Sequence, residues 1–226
     1  MNTKLEKIDW GNVITYNPTF GFDLFGDLPQ EGIKIPAYGF YGGPQNTRPT
    51  PPGEEPKGVD ALDTLFGRHD LALSGLLKDK IITQEELPAF ISAHVALITG
   101  ITHLGRNTSS GLLQVDIDKD TGQVTQEGSA EATFYAGLSV LALTADLASI
   151  PGNYGLNALE AALDFSERSE PLVYDDVLEM VTQAAEDMET GFAELPGAGK
   201  SLQGALYHFE EQLVHLLTPA DTPGFG

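Results

Sequence analysis

Leu62, Leu65, Phe66, His69, Leu73 and Leu76 recur at steps of three and four, which places them on one face of a helix. The same period continues down the chain. A second helix opens at Pro88, because the first helical turn tolerates a residue without an amide hydrogen, and closes near Gly105. Residues 112–126 read instead as a β-hairpin turning at Asp120-Thr121-Gly122. Ser129 then caps a long helix that stops before Pro151-Gly152. Three more helices are expected near 154–168, 171–190 and 202–217, with Asn153 and Ser201 as caps and Gly191 as a stop.

Residues 1–58 break this pattern. Helix signals are sparse there, turn-formers such as Asn17-Pro18 and Pro51-Pro52-Gly53 are common, and eight aromatic residues fall among them. An irregular segment so rich in aromatics is expected to wrap the helical body or line an apolar opening in it. Residues 45–57, polar and proline-rich, read as an exposed loop. The expected organisation is an irregular aromatic segment over 1–58, a helical core with a hairpin over 59–150, and a C-terminal helical extension over 151–226 packed on the same domain. The fold class is mainly α.

Composition narrows the function classes. A chain of 226 residues can bury one sizeable core. It has no cysteine, so disulfides and thiolate metal sites are excluded. Its 33 acids against 12 bases give a net charge of −21, which argues against nucleic acid, since phosphate neutralisation needs clustered Lys and Arg. Anionic membrane is disfavoured too, unless a divalent cation bridges the two surfaces. The longest apolar stretches, such as residues 138–142, fall short of a membrane span. Residues 1–10 carry charge and no apolar run, so no secretory signal is visible and the compartment stays open.

Spacing and residue type suggest chemistry together in one place. The run Tyr38-Gly39-Phe40-Tyr41-Gly42-Gly43 lets backbone carbonyls converge on a cation, and the helix after it carries Asp60, Asp63, His69 and Asp70. Asp63 and Asp70 share a helix face, with His69 about 100° away on the apolar stripe. A desolvated histidine stays neutral, as a base near pH 7 must, and Asp70 is placed to reach a cation held by peptide oxygens.

These residues resemble the secreted, calcium-dependent phospholipase A2 family, which has a Tyr-Gly-Cys-Tyr-Cys-Gly loop and then Asp-x-x-Asp-x-Cys-Cys-x-x-His-Asp on its first catalytic helix. Here Phe40 and Gly42 replace the loop cysteines, and Leu65 and Phe66 replace the helix pair. The resemblance covers about 33 residues. It implies an antiparallel helix pair beside a calcium loop, with Ca2+ bound by Asp70 and by the carbonyls of Tyr41, Gly43 and Gln45. It makes His69 the base that activates water against the sn-2 ester of a phospholipid, with the Gly43 amide and the calcium holding the oxyanion. It also implies peripheral membrane contact and a secreted enzyme. Departures are clear: Gln45 stands where the family has glycine, the following stretch is about eight residues longer, and Leu73 replaces a tyrosine that supports the catalytic aspartate. With one full carboxylate on the ion, affinity is expected in the extracellular range of about 10⁻⁴ to 10⁻³ M.

The family orients its histidine with an aspartate on a second helix. Two positions compete for that role here: His94 on the 88–104 helix, and Glu131 on the 129–149 helix with Asp146 behind it. Glu131 is the preferred reading, because its helix follows the hairpin. Weaker signals read as structure. Asp116, Asp118, Asp120 and Glu127 imitate a calcium loop, but Gly122 is one place late, so an acidic turn is preferred. His208, Glu211 and His215 share a helix face without a further ligand. The acids between 175 and 189 read as a solvated face, and residues 197–201 lack the spacing of a phosphate loop.

Overall fold

Residues 130–149 are mostly apolar on every face, so the helix they form must be central. The computed structural model describes residues 7–16, 33–43, 48–76, 82–163 and 175–195, with 213, 214 and 217. In it, β1 (Ile8–Tyr16) and β2 (Ile33–Tyr38) precede α1 (Ala61–Leu73), α2 (Leu87–Thr102), α3 (Ala130–Ser149), α4 (Tyr154–Leu163) and α5 (Asp175–Glu194). The described residues are therefore mainly helical, with one two-stranded antiparallel sheet. By length and composition α3 could cross a membrane, contrary to the expectation of short apolar runs, but 89% of its apolar window is buried inside the fold. It is the core helix: α2, α4 and α5 pack against it, and α1 packs on α2.

The Ser129 side chain accepts the Ala132 amide, so α3 begins where its cap predicts. Helix α2 has proline in its first turn, as expected. The α3–α5 contact is the most extensive between elements. A Cβ at Gly137 would lie 2.3 Å from the Ala184 carbonyl oxygen, and one at Gly191 would lie 2.4 Å from the Phe134 amide nitrogen. Glycine is needed at both places for the backbones to come so close. Gly191 therefore does not end α5; it is a contact point within it. The acidic face of α5 is solvated at Glu179, Glu186 and Glu189. Asp187 instead turns inward and accepts from the two terminal nitrogens of the Arg106 guanidinium at 2.6 Å each. Asn153 has a left-handed backbone (φ 58°) at the end of a short 3₁₀ turn, Pro151–Asn153, that leads into α4.

Strand and loop assignments changed places. The segment read as irregular contains the sheet, with Ile8 opposite Tyr38 and Ile14 opposite Ile35. The pattern was obscured by an irregularity between Asp9 and Val13, where the Asp9 carboxylate accepts the Gly11 and Asn12 amides. Pro36 sits within β2, which a two-stranded sheet tolerates because each strand has a free edge. Residues 112–126 do fold back as expected, with Ile117 bridged to Val124, but without continuous strands. Asp118 draws the Asp120 and Thr121 amides onto its side chain and closes a local turn instead.

Candidate functional site

Asp60 fixes the start of α1. Its extended backbone caps the helix, and its side chain accepts the Asp63 amide at 2.8 Å. The same carboxylate accepts the Tyr38 hydroxyl at 2.6 Å and pairs with Lys7 Nζ at 2.7 Å. Lys7 also meets Asp116, so one lysine ties the chain entering β1, the start of α1 and the 112–126 turn together. Burial lowers the Lys7 pKa, but Asp60 and Asp116 outweigh it, and the net shift is upward.

Asp63 holds the glycine turn. It accepts the amides of Phe40 and Tyr41 at 2.9 Å each and of Val59 at 2.8 Å, with no solvent exposure. Gly39 has φ 57°, and a Cβ there would sit 2.4 Å from the Asp63 carboxyl, so only glycine lets the turn close on this side chain. Tyr38 and Gly42 exchange backbone hydrogen bonds of 2.9 and 2.8 Å across the turn. Phe66 and Gly67 are in van der Waals reach of Gly42 and the Tyr41 ring. The turn thus lies along α1, one helical turn before His69 and Asp70, rather than splaying from it.

At His69 the two ring nitrogens face different neighbours. Nδ1 is 3.9 Å from Asp70 Oδ1, and Nε2 is 3.4 Å from Nδ1 of His94. Burial, reinforced by His94, lowers the His69 pKa to about 3, so the ring is neutral. Burial, and then the nearby Asp63, pushes Asp70 up to about 8. One Asp70 oxygen, Oδ2, is buried without a hydrogen-bond partner. Tyr135 of α3 lies close to both Asp63 and Asp70; burial and then those two carboxylates push its hydroxyl pKa up.

His94 is 2% exposed and is clamped by the Phe90 ring, whose centroid lies 4.1 Å away. Its Nε2 faces Asp146 Oδ2 at 3.4 Å, and Asp146 is itself 3% exposed. Glu131, the preferred orienting acid, is elsewhere. It accepts the Lys7 backbone amide at 3.3 Å near the start of α3, whereas Asp146 lies near its end. The fifteen steps from one to the other correspond to about 22 Å along a helix, so the two acids cannot serve one ring. The partner of His69 is His94, with Asp146 beyond it. Among the described residues no carboxylate is within hydrogen-bond reach of His69.

The donor set around Asp70 suits calcium. A carboxyl group with one bare buried oxygen, on the helix along which the glycine turn packs, offers the oxygen donors a hard cation prefers once the ion displaces its proton. Among the described residues no group of three or more His, Asp or Glu forms a cage, so an ion here depends on backbone oxygens. Gln45 lies outside the described residues, as do His208, Glu211, His215 and residues 197–201. An apolar groove of about 600 Å³ runs between α2 and α4, past Leu87, Ile91, Val95 and Tyr154, but none of the site residues lines it. No protein-family model, curated protein or solved structure matches the chain.

Proposed function

We propose that this protein is a phospholipase A2-like hydrolase that cleaves the sn-2 ester of phospholipids with calcium. The observation that carries the reading is the pairing of a desolvated, neutral His69 with an Asp70 whose buried oxygen has no partner, alongside a turn that Asp63 holds against α1. In this reading Nδ1 of His69 takes a proton from water as the water oxygen attacks the ester carbonyl carbon. The proton then passes to the departing glycerol oxygen as the acyl bond breaks. Asp70 and the Tyr41 and Gly43 carbonyls would hold the calcium, which supplies positive charge for the oxyanion when bound. The Gly43 amide would donate to the same oxygen. Zwitterionic phospholipid is the natural substrate for a chain of net charge −21.

The test is fatty-acid release from phosphatidylcholine vesicles, with calcium and with a chelator. His69→Gln is expected to lower calcium-dependent release by about 10² to 10⁴-fold. An unchanged rate removes His69 from the mechanism. Calorimetry with calcium should show binding that Asp70→Asn weakens; undiminished binding places the ion elsewhere. A second reading, a calcium- or lipid-binding module without hydrolysis, draws support from the histidine that stands where a carboxylate would orient the base. Calcium binding with no release from any phospholipid would favour it.

A further inference from the structure

His69, His94 and Asp146 come from three different helices and form one line of contacts that ends in a buried carboxylate. We propose that Asp146 is a positioning residue that acts through His94 to fix the tautomer of His69, leaving the lone pair on Nδ1. This inference rests on the hydrolase reading for its consequence, but not for its geometry.

The direction follows from donor and acceptor rules. Carboxylate oxygens accept, so Oδ2 of Asp146 accepts a hydrogen bond from the Nε2–H of His94. When that is the one N–H His94 carries, its Nδ1 is left as an acceptor. It faces Nε2 of His69, which must then be the donor. The remaining nitrogen of His69, Nδ1, is unprotonated, and it is the one on the Asp70 side. A single buried carboxylate thereby sets the tautomer of two rings in series and points the basic nitrogen toward the candidate cation site. The Phe90 ring, 4.1 Å from His94 between centroids, packs against the intermediate ring and restricts its rotation. A histidine interposed between base and acid is thus a transmitter of orientation, and it answers the lack of a carboxylate within hydrogen-bond reach of His69.

The tautomers can be read directly from long-range ¹H–¹⁵N correlation spectra of the ¹⁵N-labelled full-length protein near neutral pH. Both His69 and His94 are expected to be protonated at Nε2 alone. Finding either ring protonated at Nδ1 overturns the proposal, with no variant required. Asp146→Leu, similar in size, removes the acceptor; the His69 signal should then become a mixture of tautomers, and an unchanged signal overturns the role of Asp146. If lipid is hydrolysed, the same variant should lose about 100-fold in kcat with KM within about twofold. His94→Asn keeps an acceptor oxygen near the Nδ1 position and should retain more activity than His94→Leu; equal losses overturn the transmitter role. Correct tautomers without phospholipid cleavage would sink the hydrolase reading and leave the relay standing.

Discussion

Removing either His69 or Asp70 should reveal opposite pH dependences that cancel in the parent protein. In the calcium-free fold His69 stays neutral down to about pH 3, and Asp70 stays protonated up to about pH 8. Unfolded, the same groups titrate near 6.5 and 3.8. Between pH 3.8 and 6.5 the unfolded chain carries its one proton on His69 and the fold carries one on Asp70, so the pair contributes no slope. Between pH 6.5 and 8 only the fold holds a proton, and stability falls as pH rises, by about 1.4 kcal/mol per unit. In Asp70→Asn the lowered histidine acts alone. Its penalty is present at low pH and relieved as pH rises, so stability climbs from pH 3 to 6.5. In His69→Gln the raised carboxyl acts alone. Its stabilisation is full below pH 3.8 and is lost as pH rises toward 8. The two curves should therefore diverge from the parent by up to about 1.4 kcal/mol per unit between pH 4 and 6, in opposite senses. Exposure of 13% and 22% at the two side chains makes that slope an upper bound. Urea denaturation in a chelator at half-unit pH steps measures it. Variant curves parallel to the parent over that window would refute the claim that both groups are desolvated.

Three further outcomes test the scaffold. Gly137→Ala should destabilise by about 1–3 kcal/mol in urea denaturation, because its Cβ meets the Ala184 carbonyl oxygen at 2.3 Å, although intrinsic helix propensity favours alanine by about 1 kcal/mol. A stabilised variant would show that α3 and α5 can part without loss. Asp63→Asn places an amide where backbone N–H groups need an acceptor, and should cost about 1–3 kcal/mol for each amide left unpaired, with faster hydrogen exchange at Phe40 and Tyr41. Slow exchange there would mean the turn closes without Asp63. Lys7→Met leaves the fully buried Asp60 carboxylate without its cation and should cost about 3–5 kcal/mol by thermal or urea melts; a change below about 0.5 kcal/mol would show that the Tyr38 hydroxyl and Asp63 amide suffice.

The helices were legible because their signals are local. The stripe Leu62-Phe66-Leu73, the Ser129 cap and the first-turn proline of α2 each act within a few residues. What was not legible depends on contacts distant in sequence. The sheet joins residues 8–16 to 33–38 across an irregularity that interrupts alternation, so no period-two run stands out. Gly191 looks like a helix stop in isolation; only the nearness of Phe134 makes it an internal contact. At the site, the His69–Asp70 pair and the turn beside it could be read from spacing. The choice between His94 and Glu131 could not, because it turns on which end of α3 meets α2. A sequence signal for it existed all the same. Asp146 is the one acid beyond the first turn of α3, among mostly apolar neighbours, and a buried acid needs a partner, for which His94 on the apolar face of α2 is a candidate.

Three aspartates on α1 and its cap, alike in residue type, have been given different work by what surrounds them. Asp60 is neutralised by Lys7 and shares its oxygens with a hydroxyl and an amide. Asp63 is buried equally but saturated by backbone amides, whose hydrogen bonds oppose the upward push of burial on its pKa. Asp70 has neither a cation nor a full set of donors, and its pKa is pushed up to about 8. A fold under selection for stability alone would place an apolar or amide side chain there, since ionising that carboxyl near neutral pH costs free energy that nothing in the described residues returns. The deficit is confined to the one carboxylate that stands next to a neutral imidazole and to a turn held in place by its neighbour Asp63. An added divalent cation would convert that deficit into binding energy by displacing the proton. Calcium uptake should therefore release close to one proton per ion near pH 7, measurable as a dependence of calorimetric enthalpy on buffer ionisation enthalpy. Uptake without proton release would mean that Asp70 is already ionised, or that the ion binds elsewhere, and either result would remove the reason for singling this residue out.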